Sequence, residues 1–440
     1  MEEEAVRFPA LEFEKRYIQP ALDRRRRIGS IRKLTPYHDD DVRNSRIVDF
    51  SSNDYLGLAQ SQRQHDMVSA AYEKLPRKLL GSTGSRLLTG DSHYAHSLED
   101  RLAKLHNRQA ALLFNSGYDA NLAVLSCLTM DSIVVIDELG HNSLQMGLKL
   151  SRNCSVYTFR HNDASDLKRI LSEQTTSPQA KQKNLLVVVE SVYSMDGDVA
   201  PISEILNIAT TYNACVICDE AHGLGVFGNQ GTGLIAELGL ESHPALLAHV
   251  FTFGKAAGCH GAVVCGSSSL KEFLLNYGRP IVYSTSLPLH SLVTIDCAYE
   301  SMAGPIGKQL RQQVHEWAHV FQQSMQRILE QIQPPSKIWL VPSHTPIQAL
   351  VVPGNTACIQ FCSILWELSN HRIRLYPIRS PTVQSGEERV RIILHSHNTR
   401  NELDELLSLI ERTLARMGFL SPSIVEGSAV GESVQARSRL

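Results

Sequence analysis

The 440-residue chain has no apolar run near the roughly 18 residues that a spanning helix needs, so no such helix is predicted. It lacks an excess of either charge: 43 Lys and Arg stand against 45 Asp and Glu, for a formal net charge of -2. That balance removes the electrostatic reason to expect nucleic acid or an anionic membrane as partner. The one dense basic run, Arg24 to Arg27, reads as a solvated helix face. No internal repeat is visible. The acidic start, Met1 to Glu4, reads as neither a secretory signal nor an Arg-rich leader. Nine cysteines in a chain this long do not suggest a disulfide framework. Cys215 and Cys218 form a CxxC, but inside an apolar run that reads as a buried strand. Strand side chains alternate faces, so positions three apart point opposite ways and share no chemistry.

What the chain does have is alternation. Ala110–Phe114, Ile133–Asp137, Leu185–Glu190, Cys215–Asp219, His249–Phe253 and Ala262–Cys265 are short apolar runs suited to strands buried on both faces. Amphipathic stretches lie between them, with stripes at Leu98, Leu102 and Leu105 and at Ile202, Leu206 and Ala209. The pattern predicts an α/β fold with a large, mostly parallel sheet and a ligand site at the carboxyl ends of its strands. Beyond Pro305 it changes to a long helix (309–332), short strands and a closing helix (400–417). The expected organisation is an N-terminal arm (1–48), a large α/β domain (49–304), a smaller α+β C-terminal domain (305–417) and a flexible tail (418–440). The tail ends Ser438-Arg439-Leu440, a variant of the S-K-L address. Import into the peroxisome through its receptor is therefore expected, with the cytoplasm as alternative.

Three predicted strand ends carry polar residues. Glu190-Ser-Val-Tyr-Ser194 follows one, Asp219-Glu-Ala-His222 the next, and Thr252-Phe-Gly-Lys255 a third. An acid, an imidazole, a hydroxyl and an amine on adjacent strand ends suit a pyridinium cofactor. The acid (Asp219) keeps the ring nitrogen protonated, and a lysine withdrawn from water (Lys255) forms an imine and shuttles a proton. Ser116, Gly117 and Tyr118 form a strand-to-helix turn whose amides suit a phosphate, although an ordinary capped turn reads the same way. His141 follows another strand and could stack on a ring; a satisfied surface histidine reads nearly as well from this segment alone. Two motifs are set aside. Gly223-Leu-Gly-Val-Phe-Gly228 has the dinucleotide-binding spacing, which makes an NAD(P)-dependent oxidoreductase the rival reading. Gly231 and Gly233 break the helix it needs, however, and no acid ends the next strand. Asp91-Ser-His93-Tyr-Ala-His96 has metal-ligand spacing but reads better as a helix start, and no metal is expected.

With Lys255 in place, the sequence resembles the α-oxoamine synthase family of fold-type-I pyridoxal-phosphate enzymes. The resemblance rests on Ser51–Leu58, Gly81–Arg86 with Thr89-Gly90, Phe114–Tyr118, Ser194-Met-Asp-Gly-Asp198, Asp219–Gly223, Thr252–Lys255, Tyr283–Ser286, and Pro381–Val383 with Glu388–Arg391. These segments run in family order across about residues 20 to 415. The resemblance implies a homodimer with active sites shared between subunits. It implies that Lys255 carries pyridoxal 5'-phosphate and moves the substrate's α-proton, and that Asp219 pairs the ring nitrogen. His141 would stack on the ring, and Ser194 and His222 would bond its phenolic oxygen. Thr252, Ser116, Gly117 and Tyr118 would hold phosphate, joined by Ser284 and Thr285 from across the interface. Arg391 and Asn53 would meet the amino acid, and Arg379 or Arg32 the acyl group. Within the family, the branch that joins L-alanine to pimeloyl-CoA on the way to biotin matches best, releasing CoA and CO2 and giving 8-amino-7-oxononanoate. Arg86, Thr89 and Ala256–His260 depart from that branch, which leaves a different acyl thioester as the alternative.

Overall fold

The computed structural model describes residues 9–32, 34, 47–176, 183–332 and 337–420. The C-terminal tripeptide Ser438-Arg439-Leu440 lies outside them.

Seven strands form the larger sheet: β1 (Ala110–Phe114), β2 (Ser132–Asp137), β3 (Ser155–Phe159), β4 (Asn184–Glu190), β5 (Cys215–Asp219), β6 (Leu246–Thr252) and β7 (Ala262–Gly266), in the order β1-β7-β6-β5-β4-β2-β3. The pairs β2–β3, β2–β4, β4–β5 and β5–β6 are parallel, whereas β7 runs antiparallel to both its neighbours. Alternation sorts the strand residues between two cores. Val187, Val189, Val216 and Cys218 join Leu206 and Ala209 on one face. Val134, Val188 and Ile217 meet Val124 and Leu148 on the other. Burying each such Val, Leu or Ile contributes about 1.5–3 kcal/mol, and helices on both faces are what a parallel sheet requires. The CxxC divides as expected, Cys215 exposed and Cys218 buried.

A second sheet, ordered β10-β11-β9-β8, joins β8 (Trp339–Leu340), β9 (Ile347–Val351), β10 (Tyr376–Ile378) and β11 (Arg389–Ile393) in antiparallel pairs. Helices Pro305–Leu329, Asn355–Leu368 and Arg400–Arg416 cover it, packing Trp317, Phe321, Phe361 and Leu406 into a separate core. The long helix starts four residues earlier than its apolar pattern indicates, because Pro305 fills a first-turn position where its missing N–H costs nothing. The two sheets are tied together beside the future site. Arg389 pairs with buried Asp196, and Ser343 Oγ (2.8 Å) and Thr345 Oγ1 (2.9 Å) donate to the Gly197 carbonyl. The Ile393 amide donates to Phe50 O (2.8 Å), which fastens the segment leading to Asn53 and Tyr55 onto the small sheet. The N-terminal helical residues 9–27 bury none of their side chains among the described residues.

Candidate active site

Strand register decides which polar residues meet. Glu190 pairs with Asp219 at the ends of β4 and β5, and Ala262 of β7 lies opposite both Phe114 of β1 and Thr252 of β6. The carboxyl ends of β1, β2, β4, β5 and β6 therefore share one edge of the sheet. The turn after β1 faces Thr252 so closely that a Cβ on Gly117 would lie 3.0 Å from the Thr252 side chain.

Two hydrogen-bonded chains converge on that edge. The first begins at Lys255, whose Nζ is 2.7 Å from His222 Nε2; His222 Nδ1 is 2.6 Å from Tyr55 Oη. Tyr55 Oη reaches Asn53 Oδ1 (3.4 Å), which accepts from Arg391 Nη2 (3.0 Å), while Arg391 Nε donates to Ser194 O (2.6 Å). The second begins at Asp219. Its Oδ1 accepts from the Ala221 amide (2.8 Å) and its Oδ2 from Asn121 Nδ2 (2.6 Å), which also donates to Ser143 Oγ (2.9 Å). Ser143 Oγ lies 2.7 Å from His141 Nδ1, and the His141 amide donates to Glu190 Oε1 (2.7 Å).

Proton positions follow from these partners. His141 Nδ1 accepts from the Ser143 amide (3.2 Å), so the ring proton of neutral His141 is on Nε2. Burial and the nearby Lys255 charge lower the His141 pKa against the pull of Asp219, which keeps the ring neutral. Burial, with the charges of Lys255 and Arg391, holds His222 well below the usual imidazole range. A neutral His222 has one ring proton. It sits on Nδ1, toward Tyr55, when Lys255 is charged; a neutral Lys255 can also accept, which lets the proton move to Nε2 with Tyr55 donating to Nδ1. Burial brings Lys255 down to about 8 even though Asp219 and Glu190 pull the other way. Glu190 is pushed up to about 8 by burial and by Asp219.

The side chains present fit pyridoxal phosphate. An amine faces an imidazole, a doubly anchored buried carboxylate lies at the neighbouring strand end, and a neutral imidazole stands beside it. Ser116 Oγ caps Asp119 (3.1 Å), and the Gly117 and Tyr118 amides have no acceptor among the described residues, so the start of helix Gly117–Leu128 is open to an anion. Lys255, His222, Asn53, Arg391 and Ser194 stand in one group. His141 and Asp219 stand in the second, and Ser116, Gly117, Tyr118 and Thr252 stand at the helix start. Ser284 and Thr285 lie beside that turn, where Thr285 O accepts from Asn115 Nδ2 (2.8 Å). Arg379 and Arg32 join none of these groups: Arg379 donates to Gly29 O (2.5 Å), and Arg32 is exposed. Arg86 is used structurally, donating to Glu99 Oε1 (2.7 Å) and Asp91 Oδ1 (2.5 Å).

Three contributors escape sequence reasoning as site residues. Tyr55 lies within a motif quoted above and Asn121 three residues beyond another, yet neither carries a charge or a spacing that marks it. Glu190 ends a strand but reads as one more turn acid. The glycines that imitate a dinucleotide fingerprint have another use. The buried Glu220 carboxylate accepts from the Leu234 (2.8 Å) and Ile235 (3.0 Å) amides, and Gly233, at φ +105, passes so near that a Cβ would sit 2.8 Å from it. The helix after them is only Leu234–Glu237. Likewise Ser92 caps helix His93–Leu105, the helix start read into the histidine spacing.

His161 braces the site from outside. Its Nδ1 lies 2.9 Å from Asp137 Oδ1 and its Nε2 2.6 Å from Asp198 Oδ2, tying β2 to the Ser194–Asp198 loop. Burial opposes the His161 charge, but bonds to the two carboxylates outweigh it and hold the pKa up at about 10. A pKa raised above the ordinary value of about 6.5 stabilises the fold fully below that value and ever less as pH climbs toward 10. His161→Asn should therefore lower Tm by about 4 °C or more at pH 6, and by progressively less toward pH 10. A Tm difference that stays flat across pH 6 to 10 rules out a charged His161.

The profile of the family "Aminotransferase class I and II" matches residues 45–410. An 8-amino-7-oxononanoate synthase of Emericella nidulans is 36% identical over 409 residues, covering 91% of this chain and 96% of that protein. The aminoacyl transferase sphA of Aspergillus fumigatus is 31% identical over 447 residues, covering 97% and 92%. Among solved structures, a serine palmitoyltransferase of Sphingomonas wittichii superposes with a TM-score of 0.74 at 25% identity, covering 84% of this chain and 88% of that one. The chain belongs to the aminotransferase class I and II family, as a pyridoxal-phosphate-dependent enzyme of the α-oxoamine synthase group close to 8-amino-7-oxononanoate synthase.

Proposed function

We propose that the enzyme condenses L-alanine with pimeloyl-CoA, releasing CoA and CO2 and giving 8-amino-7-oxononanoate for biotin synthesis. The observation that carries this reading is the Lys255–His222–Tyr55–Asn53–Arg391 chain beside Asp219, together with the name of the Emericella relative. When bound, pyridoxal phosphate supplies an electron sink for a carbanion at the amino acid's α-carbon. The protein's own residues do the rest. Arg391 spends two donors on Asn53 and Ser194, and its remaining N–H groups are available to the substrate carboxylate, the planar anion a guanidinium matches. Lys255, neutral for much of the time near pH 8, takes the α-proton and later returns it, with His222 and Tyr55 adjusting their shared protons. Asp219 would face the ring nitrogen with its carboxylate, and neutral His141 would cover the ring without adding a charge. The Gly117 and Tyr118 amides with Thr252 would hold the phosphate. The α-carbon then bonds to the thioester carbonyl as CoA leaves, and the carboxylate departs as CO2.

A homodimer supports this site. Leu79, Leu80, Leu87, Leu88 and Tyr283 are exposed apolar residues in the segments flanking Ser284 and Thr285, and covering them with a second copy removes that surface from water. A different acyl group is the second reading. It is favoured by the sphA relative, by Arg86 being committed to Glu99, and by Arg379 bonding to Gly29.

A CoA-release assay on the purified protein, crossing alanine, glycine and serine with pimeloyl, succinyl, acetyl and palmitoyl thioesters, separates the readings. Alanine with pimeloyl-CoA is expected to give the highest kcat/KM, by about tenfold or more. A different best pair removes the biotin assignment, and absence of CoA release from every pair removes the reaction class. Sedimentation of the same sample should give a dimer; a monomer that turns over removes the shared site.

A further inference from the structure

A second cleft, of about 370 Å³, opens where the turn after Tyr55 meets the small domain. That volume lies in the range of small-ligand sites. None of the residues grouped around Lys255, Asp219 or Thr252 lines it.

Four groups, three on one helix and one on the small domain, give it an electropositive, donor-rich wall. Helix Gln62–Glu73 starts there: Ser61 Oγ caps the Gln64 amide (3.3 Å), while the Gln62 and Arg63 amides have no acceptor among the described residues. Arg63 lines the cleft, is exposed, and enters no ion pair among the described residues. Gln64 is only 6% exposed; its Oε1 accepts from Ser301 Oγ (2.7 Å), but its buried Nε2 has no partner. Ser396 Oγ, on the small-domain side, is buried and unpartnered too. Buried donors left without acceptors are uncommon and unfavourable, and a ligand's oxygens would satisfy them. No carboxylate lines the cleft, and its remaining walls include Leu56, Leu58, Ile306 and Leu310.

We propose that this cleft binds a small organic anion, with its carboxylate or phosphate held by Arg63 and the helix start, Gln64 Nε2 and Ser396 Oγ turning toward it as it binds, and a short apolar body along Leu56, Leu58, Ile306 and Leu310. The site is separate from the catalytic one, and it rests on the cleft's own donors rather than on the proposed substrates. Its wall is the turn that carries Asn53 and Tyr55, and that turn also packs under the lysine loop, where a Cβ on Gly258 would lie 2.4 Å from the Ala59 amide.

Titration calorimetry of the holoenzyme with hexanoate and, separately, hexyl phosphate tests this. One saturable site is expected for at least one of them, and which one binds identifies the head group. Arg63→Ala should weaken binding about tenfold or more, the value of one charge-assisted hydrogen bond. Leu310→Trp, which fills the apolar half, should weaken it similarly. Both variants should turn over at the wild-type rate in the absence of the anion. Binding of equal strength in wild type and both variants places the anion elsewhere and overturns the proposal. Failure of both probes to saturate by about 10 mM overturns it as well.

Discussion

Lys255→Ala is expected to lower turnover by at least about a thousandfold, since it removes both the covalent anchor and the group that moves the α-proton. Gel filtration should strip pyridoxal phosphate from the variant but not from wild type. A merely structural lysine would give a different result. Among the described residues the Nζ has one polar partner, His222 Nε2 at 2.7 Å, and the residue is half-buried, so truncation leaves a small void and one unpartnered ring nitrogen, at a cost of about 1–3 kcal/mol in a chain of this size. Tm should therefore change little, and added methylamine, which supplies the missing amine without the tether, should restore part of the activity. The pH dependence provides a second check on wild type. Only the neutral amine attacks an aldehyde. With Lys255 lowered to about 8, uptake of pyridoxal phosphate by the apoprotein, followed by its visible absorbance, should rise with pH and level off just above 8. A rate still climbing at pH 10 would mean an ordinary solvated lysine. Normal turnover in Lys255→Ala would end the catalytic reading altogether.

How far the site can be read from sequence depends on chain separation. Strand interiors such as Val187–Val189 and Val216–Cys218 are apolar on both faces, so β4 and β5 and the acids at their ends are legible one segment at a time. The same argument misses β3. Ser155–Phe159 is an edge strand, exposed along most of its length, and its mixed composition carries no signal of burial. Nor does an apolar run show direction: Ala262–Gly266 reads alike either way, and only the structure reveals that β7 is antiparallel. Contacts between distant segments are hidden for a related reason. Tyr55 and His222 are 167 residues apart, and Asn53 and Arg391 are 338 apart. Both pairs exist because the small sheet hydrogen-bonds to the Phe50 segment, a fact of topology with no local signature. Arg379 is legible only in part. Its position beside the Ser380-Pro381-Thr382 motif suggests a ligand contact, but the N-terminal arm brings Gly29 O to it instead.

Asp219→Asn is expected to reduce kcat by about 10² to 10⁴ while changing KM for the amino acid far less, because the carboxylate acts on charge that develops during reaction rather than on the substrate itself. The substitution is nearly isosteric but not neutral for the fold. Both Asp219 oxygens accept, from the Ala221 amide and from Asn121 Nδ2, and an asparagine must turn its own NH2 toward one of those donors. That conflict costs about 1–3 kcal/mol, so a lower Tm accompanies the lost activity and has to be separated from it. The double variant Asp219→Asn with Asn121→Asp makes the separation. It restores a donor–acceptor pair between the two positions, so Tm should recover, yet the negative charge now sits at residue 121, away from the strand end. Turnover should stay low. The pH profile adds a sign that packing alone cannot mimic: Asp219 raises the Lys255 pKa, so its neutralisation should move pyridoxal phosphate uptake by the apoprotein to lower pH. If the double variant regains both stability and turnover, Asp219 serves to hold Asn121 in place, and the charge at its carboxylate has no part in the chemistry.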